Sequence, residues 1–263
     1  MNYKVGEGTV YARWAEGFKT GGVNITTAPA YFPTPTGSTF GPETVYTYEL
    51  GYKDALFNRR LQVTSALFYN QYDNLQINVL PRPQFTQIST AILNAKSART
   101  YGVEGSATWK VTNPLTVGIN AGYLDATYTD YSLSNNPVFS DFNQNGKQMV
   151  NAPKWQLAFD THVDQPISSE LHMVGNLVVS YTSDVLFEYS ALPGITPDNI
   201  GPAHALVNAR IGVATRDDRI GFYLNADNLF NRVYYIGGNS GAFGNLLNYG
   251  TPRLILGEVS VHL

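Results

Sequence analysis

The sequence predicts an all-β chain that builds an antiparallel, up-and-down transmembrane β-barrel wall of about ten strands. Three observations predict it. Apolar and polar side chains alternate residue by residue through segment after segment, the period of a strand with one greasy and one wet face. These segments run to about 10–14 residues; at ~3.3 Å rise and ~40° tilt, twelve residues cover roughly 30 Å, the thickness of a bilayer core, whereas strands of soluble sheets average ~5–6. Connections alternate as well: short ones fall near 58, 113, 167 and 217, long ones near 30, 87, 138, 194 and 243. Short turns on one rim and long loops on the other is the outer-membrane arrangement.

Taken in order, residues 9–16 set Val10, Ala12 and Trp14 against Tyr11 and Arg13. A loop rich in Gly, Thr and Pro runs to Pro42. Residues 44–55 put Tyr46, Tyr48, Leu50 and Tyr52 opposite Thr47, Glu49 and Lys53. Phe57–Arg60 is a polar turn, and residues 61–78 read as one long strand. After a Pro-bearing loop, Tyr101, Val103, Ala107 and Trp109 oppose Gly102, Glu104, Ser106 and Thr108. Thr112-Asn-Pro turns, and Leu115, Val117, Ile119, Ala121 and Tyr123 oppose Thr116, Asn120 and Gly122. Beyond a polar loop, Trp155, Leu157, Phe159 and Val163 oppose Gln156, Asp160, His162 and Asp164. Pro166–Glu170 turns into Leu171, Met173, Leu177, Val179 and Tyr181. In the strand 205–215, Val207, Ala209, Ile211 and Val213 alternate with Asn208, Arg210 and Gly212. Asp217-Asp218 leads into Ile220, Phe222, Leu224 and Ala226, against Tyr223, Asn225 and Asp227. The last strand alternates less cleanly, with Ile255, Val259, Val261 and Leu263 against Glu258, Ser260 and His262. On this scheme the first strand enters from the short-turn rim and the tenth ends there. Nearly all of the 14 prolines fall in loops, turns or strand starts, where no ladder donor is lost.

Composition agrees. Charged residues make up 14% of the 263, against roughly 25% in soluble domains. The net charge of −3 excludes a nucleic-acid partner, which needs a clustered basic face. There is no cysteine, hence no disulfide and no thiolate metal site. No apolar run is long enough for a membrane-spanning helix, and barrel strands need none.

Candidate chemistry is sparse. His162, His172, His204 and His262 stand in no ligand spacing, and no nucleophile or phosphate-loop motif occurs. Neither a catalytic site, a metal nor a cofactor is expected. Asp217-Asp218 is explained by turn geometry. Arg13, Glu49, Lys53, Glu104, Asp160, Arg210 and Asp227 share the polar face of their strands and are expected to face the lumen. Trp14, Trp109 and Trp155 lie on the greasy parity and suit the aromatic girdles at the membrane interfaces. Tyr31, Phe40, Tyr131, Phe139, Tyr189 and Tyr249 fall in the long loops and are candidates for ligand contact, since long loops on a rigid scaffold commonly bind.

Four stretches also carry a family resemblance: Tyr11-Ala-Arg-Trp-Ala-Glu-Gly-Phe-Lys; Pro42-Glu-Thr-Val-Tyr-Thr-Tyr-Glu-Leu-Gly-Tyr-Lys with Arg60-Leu-Gln-Val-Thr-Ser-Ala-Leu-Phe-Tyr-Asn-Gln-Tyr-Asp-Asn-Leu-Gln; Asn94-Ala-Lys-Ser-Ala-Arg-Thr-Tyr-Gly-Val-Glu-Gly; and Asn225-Ala-Asp-Asn-Leu-Phe-Asn-Arg-Val-Tyr-Tyr with Gly250-Thr-Pro-Arg and its final strand. Together, and in this order, they resemble the C-terminal barrel part of TonB-dependent outer-membrane receptors of the iron-complex (siderophore) type. The resemblance implies a parent barrel of about 22 strands around an N-terminal plug. It implies import of a scarce nutrient, above all a ferric siderophore or other iron complex, across the outer membrane of a Gram-negative bacterium. Residues 1–263 would be the C-terminal portion of that barrel, without its plug, TonB box or signal peptide. The implied partners are outer-membrane lipid, the plug, TonB and a small-molecule iron chelate. The seven lumen-facing charges would then include plug contacts. Leu263 departs from the family's usual terminal Phe. Two other readings stay open: a complete ten-stranded outer-membrane protease-type barrel, which needs acidic residues and His grouped at the extracellular rim, and a soluble β-sandwich binding module.

Overall fold

The computed structural model describes residues 1–24, 39–79, 91–95, 97–131, 144–189, 198–241 and 244–262. Among them the chain forms nineteen strands and no helix. In order these are β1 (Asn2–Val5), β2 (Gly8–Lys19), β3 (Gly22–Val23), β4 (Thr39–Phe40), β5 (Glu43–Leu56), β6 (Leu61–Asp73), β7 (Gln76–Val79), β8 (Ala91–Asn94) and β9 (Ser97–Lys110). Then follow β10 (Leu115–Asp130), β11 (Trp155–Pro166), β12 (Leu171–Thr182), β13 (Val185–Glu188), β14 (Asn199–Gly201) and β15 (His204–Thr215). The chain closes with β16 (Ile220–Asp227), β17 (Tyr235–Gly241), β18 (Gly244–Tyr249) and β19 (Leu254–Val261).

Eleven of these make one antiparallel meander, ordered β1-β2-β5-β6-β9-β10-β11-β12-β15-β16-β19. The other eight form two-stranded ribbons, β3–β4, β7–β8, β13–β14 and β17–β18, each within one long connection. Short turns join the sheet strands at the opposite rim. The turn after β5 holds Phe57, Asn58 and Arg59 at φ 53, 54 and 64°, closed by Arg60 N–H donating to Phe57 O at 3.2 Å.

Two strand assignments from the alternation change. An eleventh strand, β1, precedes the first predicted one and pairs with it from Asn2↔Tyr11 to Val5↔Gly8 across a turn at Gly6 (φ 64°). Four residues are too few for alternation to register; the β1–β2 turn lies beside the end of β5, so the first long strand still enters from the short-turn rim. The segment read as one strand over 61–78 is two: Asn74 adopts φ 56° and ends β6, and β7 starts a ribbon with β8. Leu263 lies outside the described residues.

The sheet is a single layer with two unlike faces. Cross-strand partners share a face, and the register puts Trp14, Tyr48, Tyr69 and Tyr101 side by side across β2, β5, β6 and β9. The same face carries Leu50, Leu67, Ile119, Ile211, Phe222 and Val259, each more than half exposed. Fully burying one such side chain is worth about 1.5–3 kcal/mol, so a face of this kind requires a cover. Among the described residues no second sheet supplies it, which removes the sandwich reading. The buried apolar cluster lies instead at the long-loop end: Leu75, Ile77, Ala95, Ala98, Tyr128 and Tyr131.

Candidate functional site

The polar face is the first candidate surface. Register places Arg13 opposite Glu49, Lys53 opposite Thr64, Glu104 opposite Gly122, Asp160 opposite Gly118, Arg210 opposite Asn225 and Asp227 opposite Leu254. All seven predicted charges therefore share one face, and Val207, Ala209 and Ile211 lie on the other. Short polar pairs line it: Thr64 with Ser106 at 2.7 Å, Asn70 with Thr100 at 2.9 Å, His162 with Asn176 at 2.7 Å. A trough of about 630 Å³ crosses the middle, walled by Tyr11, Lys53, Glu104, Asn120 and Gln156 among small neighbours.

Some charges are already engaged within the wall. Arg210 donates to both oxygens of Glu258, at 2.7 and 3.0 Å, and to Asn225 Oδ1 at 3.2 Å. Its guanidinium lies 3.9 Å from the Tyr223 ring centroid. Glu49 accepts from the Tyr11 hydroxyl at 2.5 Å, and Lys53 Nζ sits 5.3 Å from the same ring. Strand β19 thus supplies Glu258 to a network that no local spacing announced.

Three aromatic rings on this face cover glycines across the ladder. A Cβ at Gly51 would meet the Tyr11 ring at 2.3 Å, one at Gly102 the Phe68 ring at 2.8 Å, and one at Gly212 the Tyr223 ring at 2.3 Å. Glycine leaves the space and the ring covers the exposed backbone, the device called aromatic rescue. Alternation alone hides this, because Tyr11, Phe68 and Tyr223 sit on the polar parity. A glycine directly or diagonally across the ladder is the signal, and reading it requires the register.

The tryptophans stand on the apolar face. Trp109 is the penultimate residue of β9, at the short-turn rim; Trp155 opens β11 at the long-loop rim, its ring 4.8 Å from Tyr123; Trp14 is opposite Tyr48. They are 47, 47 and 60% exposed. In bilayers, lipids brominated near the headgroup are expected to quench Trp109 and Trp155 more strongly than lipids brominated at the chain end, read on single-tryptophan variants. Equal or absent quenching would mean that these rings are not interfacial.

Above the long-loop rim the loop aromatics separate. Tyr131 is 5% exposed and packs 4.7 Å from Tyr128. It is core: the ribbon β7–β8 and the end of β10 need an apolar centre, and Tyr131 fills it. Burial, with Tyr128 and Tyr189 nearby, pushes its phenol well above the ordinary range. Tyr189 is half-buried, donates to Gln148 O at 2.6 Å and lies under Lys147 Nζ at 5.0 Å. The Phe40 ring rests on Gly22. Tyr249 is 67% exposed beside Tyr235. Tyr31 and Phe139 lie outside the described residues. Amide side chains stitch the ribbons together by copying backbone pairing: Asn24 exchanges both bonds with Ile92 at 2.9 and 2.8 Å, and Asn94 does so with Gly41 at 2.7 and 3.1 Å.

The protease-type reading needs carboxylates and histidine at the long-loop rim. The His–carboxylate group found among the described residues, His172 with Asp164 and Asp218, is at the opposite rim. In the 216–219 turn Asp217 does what turn geometry asks. It accepts from the Thr215 hydroxyl at 2.7 Å and the Arg219 amide at 3.3 Å, which hold its carboxyl below the usual range. Asp218 does more than the turn requires, and the sequence reading missed it.

Residues 2–229 match the family model described as TonB dependent receptor-like, beta-barrel. The ferric-pyoverdine receptor PbuA of a Pseudomonas species is 30% identical over 233 residues, covering 88% of this chain and 26% of that protein. Two solved structures share the fold. The ferric yersiniabactin uptake receptor FyuA from Yersinia pestis has TM-score 0.72 and 18% identity, over 95% of this chain and 34% of FyuA. The ferric preacinetobactin receptor BauA from Acinetobacter baumannii has TM-score 0.66 and 21% identity, over 97% and 34%. The chain thus spans about a quarter to a third of the length of these proteins.

Proposed function

We infer, because this chain belongs to the TonB dependent receptor-like β-barrel family, that it forms the C-terminal portion of the wall of an outer-membrane importer for a ferric siderophore or similar iron complex. The observation that carries the substrate class is the 30% identity to a ferric-pyoverdine receptor over 88% of the chain. The two-faced sheet supports the wall: apolar side chains meet lipid, and polar ones line the lumen. Arg13, Lys53, Glu104, Asp160 and Asp227, unlike Arg210, are not tied into the Glu258 network and are the wall's contacts for a plug domain. TonB energises transport, and the chain serves transport rather than catalysis. Phe40 in β4, Tyr189 just after β13 and Tyr249 at the end of β18, all above the long-loop rim, are the contacts for an incoming chelate.

The test uses the full-length protein that carries this chain. Cells lacking its gene are expected to lose TonB-dependent uptake of radiolabelled iron from at least one ferric siderophore, a pyoverdine being the first to try. Uptake and iron-limited growth that are unchanged across a siderophore panel would remove the assignment.

A further inference from the structure

At the short-turn rim two carboxylates, one from β11 and one from the turn between β15 and β16, close on one imidazole. His172, the second residue of β12, is 8% exposed. Its Nδ1 lies 2.6 Å from Asp164 Oδ1 near the end of β11, and its Nε2 lies 3.0 Å from Asp218 Oδ1 in the turn between β15 and β16. Carboxylates at neutral pH only accept, so both ring nitrogens must donate, and that is the imidazolium. A neutral ring has one N–H and satisfies one partner.

We propose that His172 is a protonation-linked strap: when charged it ties the 216–219 turn to the end of β11, and when it loses a proton it releases Asp218. The surroundings favour this order. The Asp164 bond is the shorter and joins neighbouring strands in the ladder; the Asp218 bond is the longer and reaches a turn. Asp218 holds φ 57°, a left-handed conformation that a non-glycine residue keeps only with support.

The groups around the ring come from β11 and from three turns. Asp164 faces it from β11. From the β15–β16 turn come Asp218 and Arg216, the latter lining the same cavity of about 400 Å³. Asp217 is turned to Thr215 and Arg219. The β9–β10 turn contributes only Asn113 and Pro114. In the turn before β12, Glu170 meets Arg216 through its main-chain oxygen, at 2.8 Å. Two carboxylates are therefore balanced by Arg216 and a charged His172, and deprotonation leaves the cavity one negative charge in excess. The strap is complete on the acid side of the ring's titration, down to where the carboxylates protonate, and loses one arm as pH rises through it. The wall reading enters only in naming the compartment sensed, the periplasm.

The experiment is amide exchange read by mass spectrometry on the full-length protein in detergent, corrected for intrinsic rates. Protection of the 216–220 amides is expected to fall about tenfold between about pH 6 and about pH 9, the loss of one charge-assisted hydrogen bond. His172→Gln and Asp218→Asn are expected to show low, pH-independent protection. His162→Gln, whose ring pairs with the neutral Asn176, is expected to keep the wild-type response. Wild-type protection that does not change with pH, or a wild-type response in His172→Gln, overturns the strap. Should the variants fail to fold, the ring nitrogens of His172 in labelled wild-type protein decide by NMR: two protonated nitrogens at about pH 6 support the strap, and a single neutral tautomer overturns it. Loss of the siderophore assignment would leave these results untouched.

Discussion

Gly102→Val is expected to leave little folded barrel. Gly102 sits mid-strand in β9, opposite Phe68 on β6 and Leu124 on β10. A Cβ there would lie 2.1 Å from the main-chain oxygen of Tyr123 and 2.8 Å from the Phe68 ring. A ring can swing away. A ladder carbonyl moves only with its strand, and Tyr123 is tied on its other side to Trp155 through both register and ring contact. Forcing a branched side chain into this space should cost about 3 kcal/mol or more, the upper range for overpacking. Gly257→Ala is the matched control, since nothing lies within 4 Å of a Cβ at Gly257. The folded fraction of the full-length protein, read as heat-modifiable migration of membrane extracts on gels, should collapse for Gly102→Val and hold for Gly257→Ala. Equal folded fractions would show that β9 and β10 do not approach as closely as described.

Arg210→Ala should loosen the last three sheet strands. The guanidinium joins β15 to β16 through Asn225 and to β19 through Glu258, and Asn225 Nδ2 donates to Glu258 at 3.0 Å. Removing Arg210 leaves a carboxylate facing Tyr223 and Asn225 with no cation. A fully buried pair would lose about 3–5 kcal/mol and an exposed one about 0–1. With the side chains 32 and 41% exposed, solvent screens part of the loss, and about 1–2 kcal/mol is the expected cost. A double-mutant cycle with Glu258→Ala, followed by urea unfolding in lipid vesicles, isolates the coupling. Additive effects would mean that the two ends of the network do not cooperate. Arg210→Lys should recover only part of the loss, because an ammonium cannot make the paired bonds of the fork.

Much of the wall was legible before any coordinates. Alternation placed every long strand of the sheet and both of its faces, because a side chain's direction on a strand is set by its own parity. Turn residues marked the short rim for the same local reason. β1 escaped because four residues hold no period. The split at Asn74 escaped because one left-handed residue does not interrupt an apolar pattern. The burial of Tyr131 escaped because a loop tyrosine looks the same whether it meets solvent or packs under a ribbon.

The amino-acid order alone decided strand lengths, the oily and watery faces, and the alternation of short and long connections, since each depends on a residue and its near neighbours. Which side chains meet was decided only once strands distant in the chain were aligned. Tyr11 over Gly51, Arg210 on Glu258 and His172 between Asp164 and Asp218 depend on register and turn shape, and a shift of one residue would turn each of these side chains to the other face.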